Sequence, residues 1–107
     1  MTRDVTKEIR DEIATHRIVL YMKGTALAPR CGFSAVTADI LSRIGRPFHV
    51  VNVLDDQEKW AAIKAFSDWP TIPQVYVAGK FIGGCDITRD LHASGELQRL
   101  IDAAFAR

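Results

Sequence analysis

The sequence predicts an α/β fold, in which a four-stranded mixed sheet is flanked by helices on both faces. Segments with helical periodicity alternate with short apolar runs of strand length along the 107 residues. In the first half a strand, a helix and a second strand follow one another, an order that places the two strands parallel and side by side. In the second half two strands separated by a tight turn add an antiparallel pair.

The first three elements follow from the spacing of apolar residues. Near the start these residues recur every four positions, at Val5, Ile9 and Ile13. This spacing predicts an amphipathic helix over about residues 4–16. The run RIVLYMKG (17–24) is apolar and ends in glycine, so it predicts a buried strand. A second helix is expected from Gly32 to about Gly45, with apolar positions Val36, Ile40, Leu41 and Ile44.

The middle of the chain predicts one more strand and one more helix. The stretch PFHVVNVL (47–54) is rich in valine and opens with proline, which is typical of a strand. Asp55 followed three residues later by Glu58 resembles a capping box. We therefore expect a helix from Asp55 to about Ser67, with Ile63 and Phe66 buried.

The last third predicts a hairpin and two helices. WPTIP (69–73) interrupts all regular structure, and QVYVAGKFIGG (74–84) reads as two strands joined at Ala78–Gly79. A helix follows Asp86, and Gly95 separates it from a final helix. The apolar stripe of that final helix is Leu97, Leu100, Ile101, Ala104 and Phe105. This order of elements is that of the thioredoxin-like architecture.

Length and composition limit the classes of function. The chain is expected to form one domain over residues 1–107. A net charge of +1 argues against a nucleic-acid partner, and no apolar run is long enough to cross a membrane. The start of the chain lacks the apolar core of a signal peptide. Two cysteines are too few for a secreted disulfide framework, so we expect a reducing compartment.

Cys31 is the residue most suited to chemistry. It directly precedes the start of a predicted helix, where free N–H groups and the helix dipole favour an anion. Arg30 and Lys23 are near it and add positive charge. Such surroundings lower the pKa of a thiol, and we expect Cys31 to be largely ionised at neutral pH. The alternative is a buried cysteine that packs as a small apolar side chain.

Ser34 stands where a dithiol redox site has its second cysteine. A hydroxyl cannot close a disulfide with Cys31, so two routes remain for the thiolate. It can exchange with a small external thiol, or it can bind a soft metal. Ser34 itself has a structural alternative, which is to accept a hydrogen bond from a backbone N–H.

Three stretches together resemble the monothiol glutaredoxins of the CGFS type. They are YMKGTALAPRCGFS (21–34), WPTIPQVYVAGKFIGGCD (69–86) and SGELQRLI (94–101), and the likeness covers nearly the whole chain. The resemblance implies a glutaredoxin fold and a homodimer that holds and transfers a 2Fe–2S cluster. Cys31 of each subunit and two glutathione molecules would be the ligands. It also implies iron–sulfur apoproteins and a BolA-like protein as partners.

The rival activity is that of a glutathione-dependent disulfide oxidoreductase, which would remove glutathione from protein thiols through Cys31 alone. The resemblance associates the longer loop TALAP (25–29) with proteins that are poor reductases, so any such activity should be weak. We expect the protein in the cytoplasm of a bacterium, or in an organellar matrix if a presequence has been removed.

Glutathione carries two carboxylates, one ammonium and an extended backbone, and the resemblance assigns residues to each. Lys23 suits the glycyl carboxylate, Phe33 lies beside the sulfur, and a cis peptide bond before Pro73 would turn the backbone of Ile72 toward the tripeptide. Backbone N–H groups near Gly84 and Cys85 suit the γ-glutamyl carboxylate, and Asp86 suits the ammonium or caps a helix. The full predicted set is Lys23, Cys31, Gly32, Phe33, Thr71, Ile72, Pro73, Gly84, Cys85 and Asp86. Cys85 is either a backbone contact or a disulfide partner of Cys31.

One position departs from the family pattern. Where the family commonly has an arginine for the glycyl carboxylate, this chain has Trp60. An indole cannot form an ion pair, although its N–H can donate one hydrogen bond. Lys59 and Lys64 on the same helix are the two candidates to replace the charge. We expect weaker or rearranged glutathione binding at that end.

Overall fold

A computed structural model describes residues 2–106. Its helices are α1 (Val5–Thr15), α2 (Gly32–Ile44), α3 (Gln57–Ser67), α4 (Cys85–Ser94) and α5 (Glu96–Phe105). Its strands are β1 (Ile18–Met22), β2 (His49–Asn52), β3 (Gln74–Val77) and β4 (Lys80–Gly83). A short 3₁₀ turn, Val53–Asp55, precedes α3. All nine predicted helices and strands are present, each within a few residues of its expected bounds.

The sheet has the order β2-β1-β3-β4, with β1 and β3 in the centre. β1 and β2 are parallel, with Leu20 opposite Val50. β3 is antiparallel to β1 and to β4, and the turn between β3 and β4 is Ala78–Gly79, both with positive φ. The mixed sheet predicted from the element order is confirmed.

Two hydrophobic cores cover the two faces of this sheet. Along β1 the side chains alternate, so that Leu20 and its neighbours at 18 and 22 face one core while Val19 and Tyr21 face the other. The first core contains residues of α2 and α5, and the second contains residues of α1 and α3. Because β1 is buried on both faces, its sequence is a continuous apolar run without polar alternation.

An ion-pair network joins α1 to α3. Lys59 is only 7% exposed. Its Nζ lies 2.5 Å from Glu12 Oε2 and 3.3 Å from Glu8 Oε1. Tyr21 Oη donates to the other Glu12 oxygen at 2.7 Å, so Glu12 connects the network to the sheet. Arg3 extends it by pairing with both Glu8 and the carboxylate of Asp56.

Several expectations about helices need correction. The cap of α3 is Asp56, whose carboxylate accepts from the Lys59 N–H at 3.1 Å, and Asp55 belongs to the preceding 3₁₀ turn. The predicted capping box is therefore wrong, because the extra turn moves the helix start by one residue. Phe66, which was expected to be buried, is only half-buried, and Val36 and Leu100 are exposed rather than part of the core. Each lies at the margin of its helix's apolar stripe.

Candidate functional site: a thiol beside a cavity

A cavity of about 730 Å³ lies beside Cys31. It is bounded by the carboxyl end of β1, the N-termini of α2 and α4, one face of α3 and the loop before β3. The lining residues are Lys23, Cys31, Phe33, Trp60, Lys64, Trp69, Pro70, Thr71, Ile72, Pro73, Gly84, Cys85, Asp86 and Ile87. Segments far apart in the sequence thus form one site around a single thiol.

Cys31 is the N-cap residue of α2 and is partly exposed. The backbone N–H of Ser34 lowers the pKa of this thiol most, and the N–H of Phe33 and the positive charge of Lys23 lower it further. Partial burial opposes them without reversing the direction. The predicted direction of the pKa shift is confirmed, and its main cause is the first turn of α2.

Ser34 has the structural role that its sequence position left open. Its side chain is fully buried, and its Oγ accepts a hydrogen bond from the backbone N–H of Lys23 at 3.1 Å. This bond joins the first turn of α2 to the residue that follows β1. Ser34 therefore helps hold Lys23 and Cys31 in register.

The loop TALAP (25–29) forms a tight turn between β1 and Cys31. Thr25 and Ala28 exchange two backbone hydrogen bonds, at 3.2 and 3.1 Å, and Arg30 N donates to Lys23 O at 2.9 Å. Gly24 has φ +92°, and a Cβ there would lie 2.5 Å from Ala28 O, so this turn requires glycine. Leu27 at the tip is 99% exposed.

The loop before β3 contains the predicted cis peptide bond between Ile72 and Pro73. Both residues are buried against the cavity, whereas Thr71 is exposed at its rim. The buried side chain of Gln74 donates to Trp69 O at 3.2 Å and to Thr71 O at 3.3 Å. Gln74 thus braces the loop, a role that the sequence did not indicate.

The start of α4 forms another wall of the cavity. Gly84 is its N-cap residue, and a Cβ there would lie 3.2 Å from both Pro73 O and Trp69 Nε1. A side chain at position 84 would therefore crowd the loop before β3. Asp86 lies in the first turn and not at the cap, so the proposed capping role is wrong. Its side chain is 85% exposed and lies 3.8 Å from Arg89.

The two cysteines differ in access. Cys85 is 7% exposed, and its Sγ accepts a contact from Arg89 Nη2 at 3.6 Å. Both cysteines are free thiols. Cys31 is therefore the more accessible sulfur of the site.

Trp60 contacts two lysines at one end of the cavity. Lys23 Nζ is 5.3 Å and Lys64 Nζ is 5.7 Å from the centroid of its ring. Lys59 points away into the ion pairs with α1, so it cannot supply charge to the cavity. Of the two candidates to replace the family arginine, Lys64 lines the cavity and Lys59 does not.

The structure brings together nine of the ten predicted site residues. The exception is Gly32, the exposed first residue of α2, which does not line the cavity. The lining residues absent from the predicted set are Trp60, Lys64, Trp69, Pro70 and Ile87. Trp69 and Pro70 belong to the WPTIP motif and were recognisable from it, whereas Ile87 depends on where α4 begins.

Within residues 2–106, no three His, Cys, Asp or Glu side chains converge as a metal site. No helix in the same part of the chain has the length and apolar character needed to cross a membrane.

Comparisons with known proteins agree on one family. The glutaredoxin family model matches residues 18–82. The chain is 47% identical over 97 residues to "Probable monothiol glutaredoxin 2" of Rickettsia conorii, with 91% of each chain covered. It is 45% identical to "Monothiol glutaredoxin-5, mitochondrial" of Saccharomyces cerevisiae, covering 99% of this chain and 73% of that one. The reduced apo form of poplar GrxS14 superposes with a TM-score of 0.84 at 40% identity, covering 96% and 94% of the chains.

Proposed function

Because this chain belongs to the monothiol glutaredoxins, we propose that it binds glutathione beside Cys31 and carries a 2Fe–2S cluster between two subunits. The observation that supports this proposal most is the exposure, lowered pKa and position of Cys31. Its thiol is partly exposed, its pKa is lowered by a helix N-terminus, and it lies at a cavity that the chain itself leaves open. A deprotonated thiol is the form that binds iron.

The number of thiols supports a shared cluster. A 2Fe–2S cluster takes four thiolate ligands, and each subunit offers one accessible cysteine because Cys85 is buried. Two subunits supply two ligands, and two glutathione thiols complete the set. We therefore propose a homodimer when the cluster is bound. Since half of the ligands are diffusible, the cluster is cargo that the protein can release to iron–sulfur apoproteins.

The cavity matches the charged groups of glutathione. Lys23 and Lys64 supply positive charge at one end, for the glycyl carboxylate. The N-terminus of α4 has free backbone N–H groups for the γ-glutamyl carboxylate, and exposed Asp86 is available to its ammonium. In our proposal the backbone of Ile72 binds the cysteinyl residue between them, and the glutathione sulfur lies next to Cys31.

Further partners and the compartment follow from the same assignment. We propose a BolA-like protein as a second partner, in addition to the apoproteins that receive the cluster. The proposed site of action is the cytoplasm of a bacterium, or an organellar matrix if a presequence precedes the mature chain.

The second candidate function is weak glutathione–disulfide exchange, which the lowered pKa of Cys31 also favours. The Cys31 thiolate would attack the glutathionyl sulfur of a protein mixed disulfide, and the protein thiolate would leave and take up a proton. A second glutathione would then attack the Cys31 mixed disulfide. Oxidised glutathione would leave and the Cys31 thiolate would return, so no second cysteine is needed.

Reconstitution with iron, sulfide and glutathione tests the proposal. We expect visible absorption and the native mass of a dimer, both lost without glutathione and in Cys31→Ser. Cys85→Ala is the matched control, because the buried Cys85 sulfur is not a proposed ligand, and it should still load. Equal loading of Cys31→Ser would contradict the proposal. A colourless monomer with rapid turnover of a glutathione mixed disulfide would favour the second function.

A further inference from the structure

We propose that Trp60 is a positioning residue that holds Lys23 and Lys64 as a paired receptor for the carboxylate of a thiol peptide. This inference rests on the proposed glutathione site. It assigns a task to an aromatic side chain at a position where charge is the expected recognition element.

The distances place both ammonium groups within reach of one ring. Lys23 Nζ and Lys64 Nζ lie 5.3 and 5.7 Å from the Trp60 centroid, inside the roughly 6 Å range of cation–π contacts. Trp60 and Lys64 are four residues apart on α3, so they share one face of the helix. Lys23 reaches the same ring from the segment after β1.

Neither ammonium group has an ion-pair partner of its own. Among residues 2–106, no carboxylate lies within 4.0 Å of Lys23 Nζ or Lys64 Nζ, whereas the neighbouring Lys59 pairs with two glutamates. Two positive charges therefore meet at one end of the cavity without compensation. The π system of the indole attracts both ammonium groups, but it carries no net charge to neutralise them.

This arrangement fits a ligand carboxylate better than a neutral group. An arginine at position 60 would bind the carboxylate directly and bring its own charge. Trp60 instead restricts two flexible lysine side chains to the place where the carboxylate arrives, so less freedom is lost on binding. Since Cys31 lines the same cavity, the receptor also orients the ligand with its thiol toward the Cys31 sulfur.

Calorimetry on the reduced, metal-free full chain tests the inference with two ligands, glutathione and its glycyl monoethyl ester. The ester lacks the charge that the lysines would bind. Lys64→Gln and Trp60→Ala should each weaken glutathione binding about two- to tenfold. Both variants should leave ester binding close to that of the unmodified chain. Trp60→Phe should restore part of the loss, because phenylalanine keeps a π face.

Lys80→Gln is the matched control, since Lys80 is exposed on β4 and does not line the cavity. It should change neither affinity. Equal losses for glutathione and the ester in Trp60→Ala would overturn the inference alone, because they would show a general apolar contact. Absence of glutathione binding by the unmodified chain would overturn the proposed function as well.

Discussion

The chemistry of Cys31 depends on its position at one helix end. The first-turn N–H groups of Ser34 and Phe33 act on the sulfur more strongly than the positive charge of Lys23 does. The serine that stands in place of a second cysteine cannot form a disulfide, but its side chain helps lower the pKa of Cys31. It accepts a hydrogen bond from the Lys23 N–H and so fixes the cation and the thiol in relation to each other.

Alkylation of Cys31 by iodoacetamide should show a pH midpoint below the value of about 8.5 for an ordinary thiol. Lys23→Gln should raise that midpoint, because it removes a charge that favours the thiolate. The measurement is the alkylation rate against pH, followed by mass spectrometry. Cys31→Ser should retain no fast-reacting thiol, since Cys85 is buried. A midpoint at the ordinary value would contradict the assignment.

Ser34→Ala should lower the free energy of unfolding by about 1 to 3 kcal/mol, because the partly buried Lys23 N–H loses its acceptor. Urea denaturation measures this loss. The Ser34→Ala substitution should also raise the pKa of Cys31, because the Ser34 side chain helps lower that pKa. Ser42→Ala on the exposed side of α2 is the control and should change stability by less than about 0.5 kcal/mol. Equal effects of the two substitutions would refute the role of Ser34.

At the scale of elements, α3 serves two different surfaces. Successive residues of a helix point about 100° apart, so Lys59 faces α1 while Trp60 and Lys64 face the cavity. The helix is anchored on one side by ion pairs and left open to a ligand on the other. Its position relative to α1 therefore determines the geometry of one end of the cavity.

The connection between α1 and α3 predicts acid sensitivity. Hydrogen bonds from Arg3 lower the pKa of Glu8 and of Asp56, each to about 2. Because the folded pKa values are below the unfolded values of about 4, the stabilisation is complete above that pH. It is lost as the pH falls from about 4 through 2. Urea unfolding at stepped pH should show this loss.

Arg3→Gln should make the loss between pH 4 and 2 shallower, because the two carboxylates then titrate closer to their unfolded values. Arg10→Gln removes the same charge from an exposed position of α1 and is the matched control. It should leave the slope unchanged. Identical slopes for all three proteins would show that Arg3 is not the cause.

At the scale of the whole molecule, β1 belongs to both hydrophobic cores. A substitution that destabilises one core should therefore destabilise the other, and the chain should unfold as one cooperative unit. The cavity beside Cys31 is also lined from both sides of the sheet. Cys31 comes from the α2 side, and Trp60 comes from the α3 side.

Leu20→Ala should cost about 2 to 5 kcal/mol, because it removes a fully buried side chain from the core that contains α2 and α5. Trp60 packs against the opposite core, and Trp69 contacts Phe81 of the same core, so the fluorescence of the two tryptophans reports on it. The fluorescence and far-UV circular dichroism transitions should shift together to lower denaturant. A fluorescence midpoint that stays at the value of the unmodified chain would show that the two cores unfold separately.

Local spacing determined the elements, the parallel β1–β2 pair, the hairpin at Ala78–Gly79 and the thiol at the start of α2. These follow from periodicity, turn chemistry and helix ends, which are properties of neighbouring residues. The motifs also indicated most of the residues around the cavity and the cis bond before Pro73.

Tertiary structure alone decided the partners of these residues. Whether Lys59 or Lys64 faces the cavity depends on how α3 is rotated against α1, and that rotation is set by packing and by the Glu8 and Glu12 ion pairs. The acceptor for the Lys23 N–H, the brace formed by Gln74 and the meeting of two lysines at Trp60 join residues distant in sequence. The spacing of residues along the chain does not predict such contacts, because they form only when separate elements pack together.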